Sequence, residues 1–439
     1  MITEAYELEG RAVVDGRVVQ AKITVRDELI MAVDQAGNDP GHGPVLLPGV
    51  VDTHVHLNDP GRAEWEGFPT GTAAALAGGV TTVIDMPLNS LPPTTTVEGL
   101  AAKRQAARDR CSVDVGFWGG AVPGNLDQLE PLWNAGVFGF KCFLSPSGVD
   151  EFPPLDPAEL HRVMVEVARL GALLIVHAED PTVLDRSPAA PSPAYASFLL
   201  SRPDAAETEA IRGLLREVEL TGARTHVLHL SSGRALPLLA EARSAGLPVT
   251  VETCPHYLCL DAAEVPDGAA EYKCCPPIRD RGNRDALWAG LVDGVIDLIV
   301  SDHSPSTPDL KYPPGRDLLQ AWGGVSGLQV GPSAVLDAAA GRGIGPERVA
   351  DWMSGRPAAL VGLPDRGRIA PGLRADLIEW DPDRATVIDA NRLLHRNPVS
   401  AWHGRRLRGA VSRSWLAGRT SAEAGAGTGR LLIRGGVAA

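Results

Sequence analysis

From residue 50 onward, short apolar runs rich in β-branched residues alternate with amphipathic or Ala-rich stretches of helical length, the pattern of repeated strand–helix units. Eight runs read as strands, at 50–56, 80–85, 113–118, 138–143, 173–177, 225–230, 248–253 and 296–302. Between them the helical period is clearest at 156–170 and 205–220, each followed by a glycine, Gly171 and Gly222, of the kind that stops a helix. Eight units predict an α/β fold of the (β/α)8 barrel type. Two further helical stretches, 327–340 and 346–360, follow the last strand and are expected on the barrel exterior.

The ends have another texture. Short runs at 11–14 and 21–25, and again at 375–380 and 411–416, are separated by Gly and Asp turns. They predict a small β-sandwich-like domain built from both termini, 1–48 and 368–439, beside a barrel spanning 49–367. The stretch 421–429, rich in Gly and Ala, is expected to be flexible.

A length of 439 residues suits one large domain with a smaller partner. The hydrophobic content of 44% with mean hydropathy near zero is ordinary for a globular protein, and no run approaches the roughly 18 apolar residues of a membrane span. Met1-Ile2-Thr3-Glu4 leads into mixed polar sequence without an apolar leader, so a cytoplasmic location is expected. The net charge of -13 argues against nucleic acid or an anionic membrane surface as partner, since both reward clustered Lys and Arg. Six cysteines without paired C-x-x-C spacing read as reduced, buried thiols. Cys274-Cys275 have no neighbouring residues to complete a structural zinc site.

A barrel of this type carries its active site at the C-terminal ends of its strands, so ligand-type residues late in each run matter. His54 and His56 end the first run, Lys141 sits late in the fourth, His177 ends the fifth, His229 lies near the end of the sixth and Asp302 ends the eighth. Side chains alternate along a strand, so His54 and His56 face the same way, roughly 6 to 7 Å apart, near enough to share an ion. A lone His on an apolar strand is more often a satisfied core residue than a ligand. The metal reading rests instead on several ligand types recurring at matching strand ends. His226, three positions from His229, faces the opposite side, and His303 is excluded by its neighbour if Asp302 faces the metals. As an ammonium, Lys141 would be repelled by metal cations. As a neutral amine it reacts with carbon dioxide to give a carbamate, whose two oxygens bridge two ions roughly 3.5 to 4 Å apart.

Several motifs carry a family resemblance. On Val51-Asp52-Thr53-His54-Val55-His56-Leu57-Asn58-Asp59-Pro60-Gly61-Arg62, Asp85-Met86-Pro87-Leu88-Asn89-Ser90, Gly139-Phe140-Lys141-Cys142-Phe143, Glu252-Thr253-Cys254-Pro255-His256-Tyr257, Cys275-Pro276-Pro277-Ile278-Arg279 and Val300-Ser301-Asp302-His303-Ser304-Pro305, the chain resembles the allantoinases, cyclic amidohydrolases of the amidohydrolase superfamily. The resemblance implies two divalent ions, usually zinc. One would be held by His54, His56, carboxylated Lys141 and Asp302, the other by carboxylated Lys141, His177 and His229. It further implies hydrolysis of the cyclic amide of allantoin to allantoate in purine breakdown. The nucleophile would be a hydroxide between the two ions, and Asp302 would carry its proton to the leaving ring nitrogen. A homo-oligomer, specifically a tetramer, is also implied.

Substrate choice within that family turns on a few positions. Asn58 stands where the similar dihydroorotases carry an Arg for a substrate carboxylate, and Asn cannot make that ion pair. Pro146 stands where hydantoinases and dihydropyrimidinases place a Tyr donor, a departure that disfavours those activities, with Ser145 or Ser147 as loop donors that could substitute. Arg62, Asn89, Cys275, Gly323 and Gly324 are further candidate substrate contacts. Hydantoinase or dihydropyrimidinase activity is the alternative reading. A non-catalytic dihydropyrimidinase-like assembly protein is the alternative of another class, against which all six retained ligand candidates speak.

Overall fold

In the computed structural model, which describes residues 4–37 and 41–437, side-chain alternation builds the first layer. Met1-Ile2-Thr3, part of the leader reading, lies outside the described residues. β1 (Tyr6–Val14), β2 (Arg17–Arg26) and β3 (Leu29–Gly37) form an antiparallel meander, and along β2 every second residue from Val19 to Val25 is buried. That period of two is what one covered sheet face demands. β4 (Val45–Pro48) joins β1 in parallel and runs through Gly49 straight into the barrel.

The barrel strands are β5 (Val50–Val55), β6 (Val80–Asp85), β7 (Asp114–Phe117), β8 (Gly119–Gly120), β9 (Phe140–Phe143), β10 (Leu173–His177), β11 (Arg224–Val227), β12 (Val249–Thr253) and β13 (Leu298–Ile299). Their pairings are parallel throughout, and almost every residue is buried, as in a sheet covered on both faces. β7 falls within the expected run 113–118, whereas β8 lies just past its end. Between them stands Trp118, whose indole N–H donates to the Thr53 carbonyl (2.8 Å), and β7 pairs with β6 while β8 pairs with β9. The ring closes where Val55 bridges His303 in parallel and the His56 amide donates to the His303 carbonyl (2.8 Å). The eighth strand is much shorter than the sequence pattern suggests. Beyond Ile299 the Ser301 amide turns to the Asp52 carboxylate (3.1 Å), and the chain leaves the ladder to present Asp302.

Helices follow their stop and start signals. The helix Pro157–Leu170 begins with Asp156 and Glu159 in a reciprocal capping box and ends at left-handed Gly171, and Asp204–Thr221 ends at Gly222. The stretch expected as one helix at 346–360 is instead Pro346–Ala350, a π turn at Asp351–Gly355, and Arg356–Leu360. Pro357 has no amide to continue the α ladder, which accounts for the wider turn just before it.

β14 (Leu377–Val387), β15 (Arg406–Leu416) and β16 (Arg419–Thr420) complete a seven-stranded sheet of order β16-β15-β14-β4-β1-β2-β3, so both ends of the chain share one sheet. Ile23, Val25, Ile30, Leu377 and Trp415 are in its core. The stretch 421–429, expected to be flexible, is tied to the barrel. The Gly427 and Gly429 amides donate to the Cys111 carbonyl (3.0 and 2.9 Å), and a Cβ at Gly429 would sit 1.9 Å from the Val113 carbonyl oxygen, so only glycine allows this approach.

The same joint holds a buried ion network. Asp114, at the start of β7, accepts from Arg366 (2.9 Å), lies 3.1 Å from the Arg374 guanidinium, and accepts from the Arg430 amide (2.9 Å), while Arg374 also bonds Asp376 (3.2 Å). Removing one member leaves its partners charged and desolvated, a loss of about 3–5 kcal/mol. Asp114→Ala is therefore expected to lower the unfolding free energy by about 3–5 kcal/mol, read from the urea midpoint, and an unchanged midpoint would refute this account of the joint.

Candidate metal centre and active-site cavity

β5 delivers His54 and His56 to the mouth of the barrel, with ring centroids 5.5 Å apart. His54 Nδ1 lies 2.5 Å from Glu252 Oε1 at the end of β12. Its Nε2 lies 3.1 Å from Asp302 Oδ1 and 3.4 Å from Lys141 Nζ. His56 Nε2 is 3.5 Å from the same Asp302 oxygen. His177 Nδ1 lies 3.0 Å from His229 Nε2, and the His229 ring sits 5.3 Å from that of His54. The structure thus brings all six residues named from strand ends into one buried cluster. His229 (φ 35°) and Asp302 (φ 43°) occupy the left-handed region, which costs non-glycine residues energy and marks a constrained site.

A supporting ring of residues went unseen in the sequence. Besides His54, Glu252 bonds His226 Nε2 (3.0 Å) and accepts from the His229 amide (3.2 Å). His177 Nε2 lies 2.8 Å from Glu179, which in turn pairs with Arg202. Glu252 heads the Glu-Thr-Cys-Pro-His-Tyr motif, and Glu179 follows His177 by two positions, just past the end of β10. Those spacings were the available signals. His226 and His303 stand outside the cluster, His303 being held by Glu66 (3.2 Å) and by the Gly327 amide (3.2 Å).

Burial lowers the pKa of His56 to about 3 and, with His177 beside it, holds His229 well below its usual range. His177 is also lowered by burial. These rings are neutral, the form that donates to a metal. Burial alone would raise the Asp302 and Glu252 carboxyls, but His54 overrides it, together with His56 at Asp302 and His226 at Glu252. Asp302 ends well below the usual carboxylate range and Glu252 at about 2. His54 itself is raised despite burial, because Asp302 and Glu252 draw a positive charge towards it. The same two carboxylates would draw a divalent cation. Burial brings Lys141 down to about 8, within reach of the neutral amine that carbamate formation requires.

The cluster floors a cavity of about 340 Å³, at the small end of the roughly 300–1,000 Å³ usual for ligand pockets. Asn89, Cys275, Gly323 and Gly324 line it, with Pro146, Ser147 and Arg202. Asn58 and Arg62 are not in that wall: the Asn58 amide faces the Pro305 carbonyl (3.4 Å), and Arg62 pairs with Glu151 (2.5 Å). The Ser147 hydroxyl donates to the Phe152 carbonyl (2.6 Å), and Ser145 is buried away from the wall. One side of the cavity is the segment 319–324, pinned by two buried lysines. Lys273 donates to the Leu319 and Ala321 carbonyls (3.1 and 2.5 Å), and Lys311 to those of Trp322 (2.9 Å) and Gly324. Gly324 (φ 113°) passes so close to Ser304 that a Cβ would meet its carbonyl oxygen at 2.2 Å.

Residues 45–420 match the profile of the Amidohydrolase family. The chain belongs to the amidohydrolase family. It is 57% identical over 393 residues to the allantoinase of Streptomyces avermitilis, covering 89% of this chain and 88% of that one. It is 42% identical to the allantoinase of Saccharomyces cerevisiae, covering 95% and 91%. Among solved structures, the L-hydantoinase (dihydropyrimidinase) from Arthrobacter aurescens superposes with a TM-score of 0.89 at 30% identity, over 99% of this chain and all of that one. The amidohydrolase assignment makes this a metal-dependent hydrolase with a barrel and a β-rich domain from the termini.

The residues present fit such a centre. Imidazole nitrogens and a carboxylate are the donors divalent ions of this type prefer, and the outer nitrogens of His54 and His177 are fixed by Glu252 and Glu179, as ligand histidines usually are. His56 Nδ1 and His229 Nδ1 are buried without a hydrogen-bond partner. Loss of an orienting carboxylate typically costs about 10–100-fold in metal affinity. Glu252→Gln is therefore expected to release bound metal to a competing chelator about 10–100-fold more readily, with the fold retained by circular dichroism.

Proposed function

We propose that this chain hydrolyses the cyclic amide of allantoin to allantoate, as a step of purine breakdown. The observation that carries the chemistry is the convergence of four imidazoles, Lys141 and Asp302 at the floor of one cavity. The choice of allantoin rests on the likeness to bacterial and yeast allantoinases. Two divalent ions, taken to be zinc, would be held by His54, His56, Lys141 and Asp302 on one side and Lys141, His177 and His229 on the other. When bound, they supply a Lewis acid for the ring carbonyl and lower the pKa of water enough for attack near neutral pH.

The chain's own residues do the remaining work. Neutral Lys141 would add to carbon dioxide and shed a proton, and the resulting carbamate would supply anionic oxygen ligands for the ions. Asp302, kept as a carboxylate by His54 and His56, accepts the proton of the attacking water and returns it to the ring nitrogen as the carbon–nitrogen bond breaks. Glu252 and Glu179 hold the imidazole rings in register while this happens. Asn89, Cys275 and the backbone of Gly323 and Gly324 face the substrate, a neutral ring rich in amide donors and acceptors. With Pro146 in the wall and the Ser147 hydroxyl engaged elsewhere, the side-chain donor used by hydantoinases has no counterpart in this loop. A homotetramer and a cytoplasmic location complete the reading. Among the described residues no helix is long and apolar enough to cross a membrane.

The test is ring opening by metal-replete protein, prepared with bicarbonate, on allantoin, hydantoin, dihydrouracil and dihydroorotate in parallel. The highest kcat/KM is expected on allantoin; preference for another ring would overturn the substrate, and inactivity on all four the whole reading. Lys141→Ala is expected to lose metal and turnover together, with partial rescue by short carboxylates. Asp302→Ala is expected to lower kcat by about 10²–10⁴-fold with a much smaller change in KM.

A further inference from the structure

Just past β12, the chain sets a second group of ligand-type side chains against Asp302. Cys254, His256 and Asp302 are all buried, and one donor atom from each lies within 4.8 Å of the other two. A zinc-like ion bonds nitrogen and sulfur at about 2.0–2.3 Å, so a modest inward adjustment lets one ion contact all three. His256 Nε2 has no hydrogen-bond partner, although it is completely enclosed. A buried polar nitrogen left unpaired is costly, and a bound cation would satisfy it. The ring is held in place by Tyr257, whose centroid lies 4.2 Å away and whose hydroxyl donates to the Pro276 carbonyl (2.7 Å). Among the described residues the other cluster this tight is His54–His229–Asp302. Asp302 is common to both.

We propose that Cys254, His256 and Asp302 form an inhibitory site for a soft divalent cation, such as cadmium or surplus zinc, adjoining the hydrolytic centre. A thiolate, an imidazole and a carboxylate together favour soft ions over magnesium or calcium, which prefer all-oxygen sites. Burial keeps His256 neutral, with a pKa near 4, and keeps the Cys254 thiol protonated. The imidazole is thus ready to donate, whereas the thiol binds only an ion able to displace its proton. In binding, the S–H bond breaks, the sulfur lone pair goes to the cation, and the proton leaves to solvent. Nothing is oxidised. Asp302 lines the cavity, while Cys254 and His256 lie behind it, buried and outside that wall. An ion held there engages the carboxylate that the proposed hydrolysis uses to move its proton. The inhibitory consequence rests on that reading; the binding site does not.

The experiment titrates cadmium(II) into metal-replete protein in thiol-free buffer. It records sulfur-to-cadmium charge-transfer absorbance, the metal content retained after gel filtration, and allantoin hydrolysis. Wild type is expected to take up one cadmium with its resident metals retained, to develop the thiolate band, and to lose turnover in step with it. Cys254→Ser is expected to abolish the band and to raise the inhibitory cadmium concentration about tenfold or more, the scale seen when a metal site loses support. Cys275→Ser, which removes the thiol in the cavity wall, is expected to keep the band. A band that persists in Cys254→Ser or disappears in Cys275→Ser would overturn the site. If Cys254→Ser does not fold, His256→Gln is expected to weaken cadmium uptake by the same factor, and unchanged uptake would overturn it equally. Absent allantoin hydrolysis with the band and stoichiometry intact would count against the proposed activity and leave the site standing.

Discussion

Closure of the barrel between its first and last strands is the constraint on which the rest depends. His54 and Asp302 are far apart in the chain, and they meet only because Val55 bridges His303, the His56 amide donates to His303, and the Ser301 amide reaches the Asp52 carboxylate. Each of these contacts satisfies a buried polar group that would otherwise stand unpaired at a cost of about 1–3 kcal/mol. The seam therefore cannot slip without exposing several such losses at once. Register at the seam is also register of the site, since a one-residue shift would turn His54 and His56 to the opposite face.

Around that seam the charges form two shells with different tasks. The inner shell keeps most of its imidazoles neutral through burial, while Asp302 stays ionised through His54 and His56. The outer shell concentrates its negative charge in Glu252 and Glu179, and both are stabilised by partners behind the metal-facing atoms, His226 and Arg202. A carboxylate buried without such a partner would take up a proton and cease to orient its histidine. Arg202 thus acts at one remove. It secures the charge on Glu179, and Glu179 secures the tautomer of His177.

Legibility in the sequence followed the reach of the underlying interaction. Strand number, helix stops and the cluster of His54, His56, Lys141, His177, His229 and Asp302 at the strand ends depend on local period and residue type, and those were readable. Contacts that arise only when distant segments meet were not. Arg202, Lys273 and Lys311 looked like ordinary charged residues, and Glu252 stood in a recognised motif without its role being legible, because a buried ion pair or a lysine capping backbone carbonyls leaves no periodic trace. The Gly-rich stretch 421–429 misled for a related reason: glycine marks both flexible chain and chain that must lie flush against another backbone, and only the Cys111 and Val113 carbonyls decide between them. The eighth strand was overestimated because its apolar pattern continues past the point where Ser301 abandons the ladder for Asp52.

Asp302 concentrates these demands in one residue. It must leave a strand, enter left-handed backbone space that disfavours a β-carbon, and keep its charge in a buried setting. Each requirement costs stability, and each is offset by a neighbour held in turn by something else: His54 by Glu252, the Ser301 turn by Asp52, His303 by Glu66. Such a residue tolerates little repositioning, yet its carboxylate has two oxygens and more than one set of donors within reach. The geometry that would let it move a proton in the proposed hydrolysis also leaves it close to Cys254 and His256. A reactive group exposed on two sides is open to capture from the side that does no chemistry, and that liability comes directly from the positioning that makes it useful.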